Sequence, residues 1–199
     1  MTEVAATEVD TPHGPARVTR HEATDPRAVL LLGHGAGGGV GAPDLVSATA
    51  AAVATGVSVV LVEQPYRVAG RRAPAPAGQL DTAWLAVVEH VRADLPLVFG
   101  GRSSGARVAC RTAGAGGAVG VVCLAFPVAP PRSPEKHRLA ELAAPQVPVL
   151  VVQGERDPFG RPEEAPGRRV VLLPGDHGLK AAHGELRAAV AGFLGGLLS

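Results

Sequence analysis

Six short runs of apolar residues recur along the chain, and Ala-rich stretches with helical spacing lie between most of them. They fall at residues 28–33 (AVLLLG), 57–62 (VSVVLV), 95–100 (LPLVFG), 120–126 (GVVCLAF), 147–153 (VPVLVVQ) and 169–173 (RVVLL). A strand with one wet face alternates polar and apolar residues. A run that is apolar at almost every position is covered on both faces, as the strands of a parallel sheet are. The intervening pattern predicts helices over residues 44–55, 80–93, 104–113, 134–144 and 185–198. In the second of these, Leu80, Trp84, Val87, Val88 and Val91 share one face, which makes Trp84 a core residue and not a ligand contact. Strands alternating with helices imply an α/β fold with a mostly parallel sheet and helices on both faces. Ahead of this pattern, residues 3–9 and 16–22 flank the turn Thr11-Pro12-His13-Gly14-Pro15, which reads as an antiparallel hairpin on one sheet edge.

The chain's 199 residues, 46% of them hydrophobic, can bury a full core, and residues 1–199 read as one domain. The loops at 67–78 and 127–134 are too short to hold a cap domain. A net charge of +1 provides no field for nucleic acid or anionic lipid. The N-terminus is acidic and unlike a signal peptide, and no apolar run reaches the ~20 residues of a membrane-spanning helix. Cys110 and Cys123 lack a CxxC spacing and read as reduced, buried side chains. Together these features lead us to expect a cytoplasmic protein. The wealth of Ala, Gly, Pro and Arg beside scarce Lys suggests GC-rich, bacterial coding.

Gly33-His34-Gly35-Ala36-Gly37-Gly38 follows an apolar run, and Glu63 closes the next one. That is compatible with a dinucleotide-binding turn. A Rossmann helix must begin inside such a motif, so that its N–H groups meet the pyrophosphate. Here glycines continue to Gly41, and a helix can start only near Pro43. The same loop also reads as an HGxG turn whose Ala36 N–H faces an acyl oxyanion, or as a turn without chemistry. His34 reads as a structural residue at the mouth of the site.

Gly101-Arg102-Ser103-Ser104-Gly105 is a G-x-S-x-G motif placed between an apolar run and a helical stretch. A serine at such a junction is held on a tight turn with its hydroxyl raised above the sheet. The flanking glycines keep side chains from colliding across the turn. The Ser104 N–H would then be a second oxyanion donor at the helix N-terminus. We expect the Ser104 hydroxyl to cap that helix, and Arg102 to face solvent.

An activated serine needs an imidazole, and the imidazole needs a carboxylate. The fifth apolar run ends in Gly154-Glu155-Arg156-Asp157-Pro158-Phe159-Gly160, and the sixth in Pro174-Gly175-Asp176-His177-Gly178. Asp157 and His177 follow Ser103 in the order nucleophile, acid, base. Glu155, Asp176 and His183 are weaker candidates for these roles. The other histidines are scattered without ligand spacing, so no metal is expected. No cofactor is implied, since side chains and main-chain N–H groups suffice for this chemistry.

Leu32–Gly38, then Glu63-Gln64-Pro65-Tyr66 with Arg71-Arg72, and Gly100–Arg107 together resemble the KANSL/Tex-type α/β-hydrolase-like family, related to dienelactone hydrolases. Phe126-Pro127, Pro130-Pro131, Val152–Gly160 and Gly175-Asp176-His177 continue the likeness, which covers about residues 28 to 198. The resemblance implies an α/β-hydrolase core without a lid and a triad of Ser103, Asp157 and His177. It does not imply a substrate, and some eukaryotic members look like interaction modules. The chain departs from the pattern at Gly178, where the family usually has Ser, and in its short loop after Tyr66. Two functional expectations follow. One is a serine hydrolase acting on an ester, thioester or related small acyl compound. The other is a non-catalytic binding module of the same fold. Nucleotide binding at Gly33–Gly38 is a third, weaker reading.

Overall fold

The computed structural model describes residues 6–92 and 94–199. Residues 3–5 of the expected first strand and Ala93 of the expected second helix lie outside them. Among the described residues, eight strands form one sheet: β1 (Ala6–Val9), β2 (Ala16–His21), β3 (Ala28–Gly33), β4 (Val57–Glu63), β5 (Leu97–Arg102), β6 (Ala118–Leu124), β7 (Val149–Gly154) and β8 (Arg168–Leu173). Their order is β1-β2-β4-β3-β5-β6-β7-β8. β1 and β2 pair antiparallel, β2 lies antiparallel on β4, and every later pairing is parallel. This is the α/β-hydrolase arrangement, with the expected hairpin at one edge.

The helices are α1 (Pro43–Ala54), α2 (Pro65–Val68), α3 (Ala77–Val91), α4 (Ser104–Gly116), α5 (Leu139–Leu142) and α6 (His183–Leu197). Their apolar faces divide the core into two clusters, one on each side of the sheet. Trp84, Phe99, Val87 and Phe126 belong to one, beneath α3 and α4. Leu45, Leu30, Leu150 and Leu186 belong to the other, beneath α1 and α6. Trp84 is fully buried and meets Phe99 edge to face, with ring centroids 5.6 Å apart. Adjacent positions along β3 feed opposite clusters, Leu30 and Leu32 one and Leu31 the other, which is why this run has no polar phase.

Several boundaries differ from expectation. The strand expected at 95–100 runs from Leu97 to Arg102, so it carries the chain up to the serine. The one expected at 120–126 runs from Ala118 to Leu124, because Ala125 turns into left-handed backbone with φ 49°. The helix expected over 134–144 is the single turn Leu139–Leu142. The Arg138 N–H is taken by the Val128 carbonyl at 2.7 Å, so the chain before it folds back as a loop. In the stretch expected to be a loop after Tyr66, α2 forms one turn and α3 begins at Ala77. Among the described residues, no helix is long and apolar enough to cross a membrane.

Candidate active site

β5 delivers Ser103 to the carboxyl edge of the sheet, and α4 begins at the next residue. Ser103 has φ 52° and ψ −107°, a backbone conformation that costs a non-glycine residue about 1–3 kcal/mol. Close approach enforces this turn. A Cβ on Gly101 would stand 2.6 Å from the Gly33 carbonyl oxygen, and one on Gly105 only 2.3 Å from it. The glycines therefore let the ends of β3 and β5 and the first turn of α4 touch through backbone. The Ser103 N–H is anchored on the Leu124 carbonyl of β6 at 2.9 Å.

The loop after β8 brings His177 to this serine. His177 Nε2 lies 3.0 Å from Ser103 Oγ, and His177 Nδ1 lies 2.8 Å from Asp157 Oδ2. An ionised Asp157 can only accept, so Nδ1 carries the proton and Nε2 presents its lone pair to the Ser103 hydroxyl. The His177 loop crosses β7 where a side chain would collide: a Cβ on Gly154 would be 2.3 Å from the Asp176 carbonyl. Phe159 covers one face of the imidazole, with centroids 4.4 Å apart and planes tilted by 37°.

The Asp157 side chain is fully buried, with donors on both oxygens. Oδ1 accepts the Phe159 N–H at 2.8 Å, and Oδ2 accepts from Gln153 Nε2 at 2.8 Å as well as from His177. Gln153, wholly buried at the end of β7, turns its amide nitrogen toward Asp157 Oδ2 and the carbonyls of Phe126 and Gly160. Three acceptors around one amide nitrogen fix which way that amide points. Sequence reasoning missed Gln153, because a polar residue closing an apolar run carries no distinctive signal.

Gly35 packs against the serine: a Cβ there would be 3.7 Å from Ser103 Cβ. Ala36 follows in the same turn, half-buried, and its carbonyl accepts the Tyr66 hydroxyl at 2.7 Å. Ser104 occupies the first position of α4, where main-chain N–H groups have no partner within the helix. No side-chain oxygen caps α4, and the residue before its first turn is Ser103, so the expected Ser104 cap is not formed. The helix start is fixed instead by the backbone packing of Gly105 on Gly33.

Two further expectations are corrected. His34 is not at the mouth of the site but buried under the loop, 2% exposed. Its Nε2 accepts the Gln64 N–H at 3.0 Å, which leaves Nδ1–H to donate to the Gly35 carbonyl at 2.8 Å. Burial holds its pKa below the ordinary histidine value, so it stays neutral and structural. Arg102 does not face solvent. Its Nε meets Asp44 Oδ2 at 2.9 Å, and its Nη2 donates to the His177 carbonyl at 2.9 Å. Asp44 is completely buried in the first turn of α1; burial pushes its carboxyl pKa up, and the Arg102 charge opposes that.

The alternative candidates lie apart from this row. Asp176 Oδ1 accepts the Gly178 N–H, Glu155 is exposed, and His183 Nδ1 pairs with Ser47 Oγ at 3.0 Å. α1 starts at Pro43, so the helix that follows Gly33–Gly38 does not begin inside the turn, and Glu63 pairs with Arg17 at 3.4 Å. Both observations count against a dinucleotide turn. Among the described residues, no group of three His, Cys, Asp or Glu side chains is gathered as a metal site.

Residues 26–184 match the family described as the alpha/beta hydrolase domain. The chain belongs to that family. No curated protein matches it at a significant level. Among solved structures, the chain is similar to a serine hydrolase without lid from Xanthomonas campestris, with 24% identity and a TM-score of 0.72 over 96% of this chain and 93% of that one. It is similar to Est1E from Butyrivibrio proteoclasticus at 14% identity, TM-score 0.78, covering 97% and 98% of the two chains. Dienelactone hydrolase from Anabaena variabilis superimposes at 16% identity, TM-score 0.70, over 98% and 96%. Likeness at these identities is a likeness of fold.

Proposed function

We propose that this α/β-hydrolase is a serine hydrolase of ester, thioester or related small acyl substrates. What carries the reading is the row from Ser103 Oγ through His177 to the buried carboxylate of Asp157, at 3.0 and 2.8 Å. In the proposed reaction the Ser103 oxygen bonds to the acyl carbon while its proton passes to His177 Nε2. The bond to the leaving group then breaks, and His177 returns the proton to that group. Water repeats both steps on the acyl-serine and frees the acid. Asp157 holds the Nδ1–H tautomer and stabilises the imidazolium cation; the Gln153 amide and the Phe159 N–H hold its carboxylate in place. The N–H groups of Ala36 and Ser104 are assigned to the developing oxyanion, a role in which each donor is worth roughly 10²–10³ in rate. No cofactor is needed for these steps.

The serine hydrolase without lid and dienelactone hydrolase among the similar structures agree with this reading. The shared sheet with a core on each face supports treating the chain as a single domain. The motifs around Gly33, Ser103, Asp157 and His177 support placing it with the KANSL/Tex-type, dienelactone-hydrolase-related members. A site without an inserted cap suits small or exposed acyl groups. A complete row of all three groups speaks against a purely binding module.

A fluorophosphonate probe tests the proposal. We expect one adduct, on Ser103, that is lost in Ser103→Ala, and turnover of a panel of short acyl esters and thioesters. Folded protein that takes no adduct would end the proposal.

A further inference from the structure

Arg102 stands just before Ser103, and its guanidinium touches two of the other loops of the site as well as α1. Nε contacts Asp44 Oδ2 at 2.9 Å, Nη2 donates to the main-chain carbonyl of His177 at 2.9 Å, and Nη1 lies along Gly35 so closely that a Cβ there would be 2.8 Å from it. One planar group therefore bridges the elbow that carries Ser103, the turn assigned to the oxyanion and the loop that carries His177. We infer that Arg102 is a positioning residue, which fixes the height and tilt of the His177 imidazole over Ser103 by holding the His177 carbonyl. The inference rests on the serine-hydrolase reading above.

Three observations favour this over a role in stability alone. First, Asp44 is fully buried, and a buried carboxylate paired with arginine commonly adds little net stability compared with an apolar pair. Its cost has a use if it holds the guanidinium in one orientation. Second, the guanidinium is a fork. It can serve a carboxylate with one nitrogen and a carbonyl with another, and a single ammonium cannot reproduce both angles. Third, the contact lands on the backbone of His177 itself. The loop around it is irregular: Gly175 has φ 122° and Leu179 has φ 45°. Arg156 N–H to Gly175 O and Leu179 N–H to Asp176 O tie its flanks, and Arg102 ties its centre. Asp44 acts one step further out, by aiming Arg102.

The test separates charge balance from positioning. In the double variant Arg102→Met/Asp44→Asn, both buried charges are gone, so the penalty of an unpaired Asp44 is removed while the His177 carbonyl still lacks its donor. With 4-nitrophenyl acetate as substrate, we expect kcat to fall about 10²-fold, the effect of a displacement near 1 Å at a reacting group, with KM nearly unchanged. Arg102→Lys keeps the charge and should fall about 10-fold. Nitrogen NMR of the His177 ring gives a readout that needs no turnover. The wild type should show the Nδ1–H tautomer, and both variants a mixture of tautomers. If the double variant does not fold, Arg102→Lys gives the same reading. Wild-type kcat together with an unchanged tautomer in either variant would overturn the inference and leave Arg102 only as the counter-ion of Asp44. A wild type that takes no fluorophosphonate, while the tautomer still shifts in the variants, would sink the hydrolase reading and keep Arg102 as the residue that positions His177.

Discussion

The tightest backbone contact beside Ser103 lies at Gly105, and it makes a sharp prediction. A methyl group there would sit 2.3 Å from the Gly33 oxygen and 2.5 Å from the Gly33 carbon, both backbone atoms at the end of β3. Ordinary contact between heavy atoms begins near 3.5 Å, so Gly105→Ala must push α4 and β3 apart by about 1 Å. Overpacking of this kind costs about 1–3 kcal/mol, or roughly 2–12 °C in Tm for a chain of this size. The same displacement opens the gap between Ser103 and the Ala36 turn, and misplacement on this scale costs about 10² in kcat. Gly114→Ala is the control. It lies exposed on the same helix with nothing within 4 Å of the added carbon, and should raise stability by about 0.5–1 kcal/mol with unchanged kcat. Calorimetry and initial rates on the two purified variants decide the matter. If Gly105→Ala melts and turns over like the wild type, glycine at this position of the motif has no steric cause, and the account of the elbow is wrong.

Other outcomes follow from the same geometry. Ser103→Gly should remove the fluorophosphonate adduct yet raise stability by about 1 kcal/mol, since glycine tolerates the positive φ at that turn; thermal melting and intact-protein mass together check it. Burial of Glu141 would raise its pKa, but the hydrogen bonds and charges of Arg107 and Arg111 outweigh that and hold it below its ordinary 4.5. Its stabilisation, about 1–2 kcal/mol for a partly screened pair, is then complete above about pH 4.5 and lost as pH falls through the lower folded value. Urea melts of Glu141→Gln should accordingly lie below the wild type at pH 6 and converge with it in acid; a constant gap down to pH 2 would contradict the sign. Cys110 and Cys123 are buried with sulfurs 3.5 Å apart, and the Cys110 contact together with burial pushes the Cys123 thiol well above its ordinary pKa. Neither should react with iodoacetamide in the folded protein at neutral pH, while both should react in guanidinium; modification without denaturant would count against this packing.

The parts of the fold that local chemistry controls were legible in the chain. β3, β4 and β7 are covered on both faces, so they appear as runs that are apolar at almost every position, and Trp84 declares its burial through its spacing with Leu80, Val87, Val88 and Val91. Gly101 and Gly105 bracket Ser103 because the crossing of β3, β5 and α4 admits no side chain, and that requirement is written at fixed spacing. Asp157 and His177 could be singled out because each lies in the loop just past a strand, β7 or β8, on the edge to which a parallel sheet delivers its loops.

What escaped the sequence depends on partners far apart along the chain. Ser103 and His177 meet across 74 residues, and nothing local sets their 3.0 Å separation. Arg102 read as a surface charge and Asp44 only as the first residue of an expected helix, until folding sealed that carboxylate inside and left the guanidinium as its counter-charge. Gln153 read as the polar end of a strand, until the Phe126, Asp157 and Gly160 oxygens converged on its amide. Sequence periodicity records which side of an element is covered, because burial acts on each residue separately. Which polar atoms meet beneath that cover is decided only when the strands take their order in the sheet, because a hydrogen bond needs two positions at once.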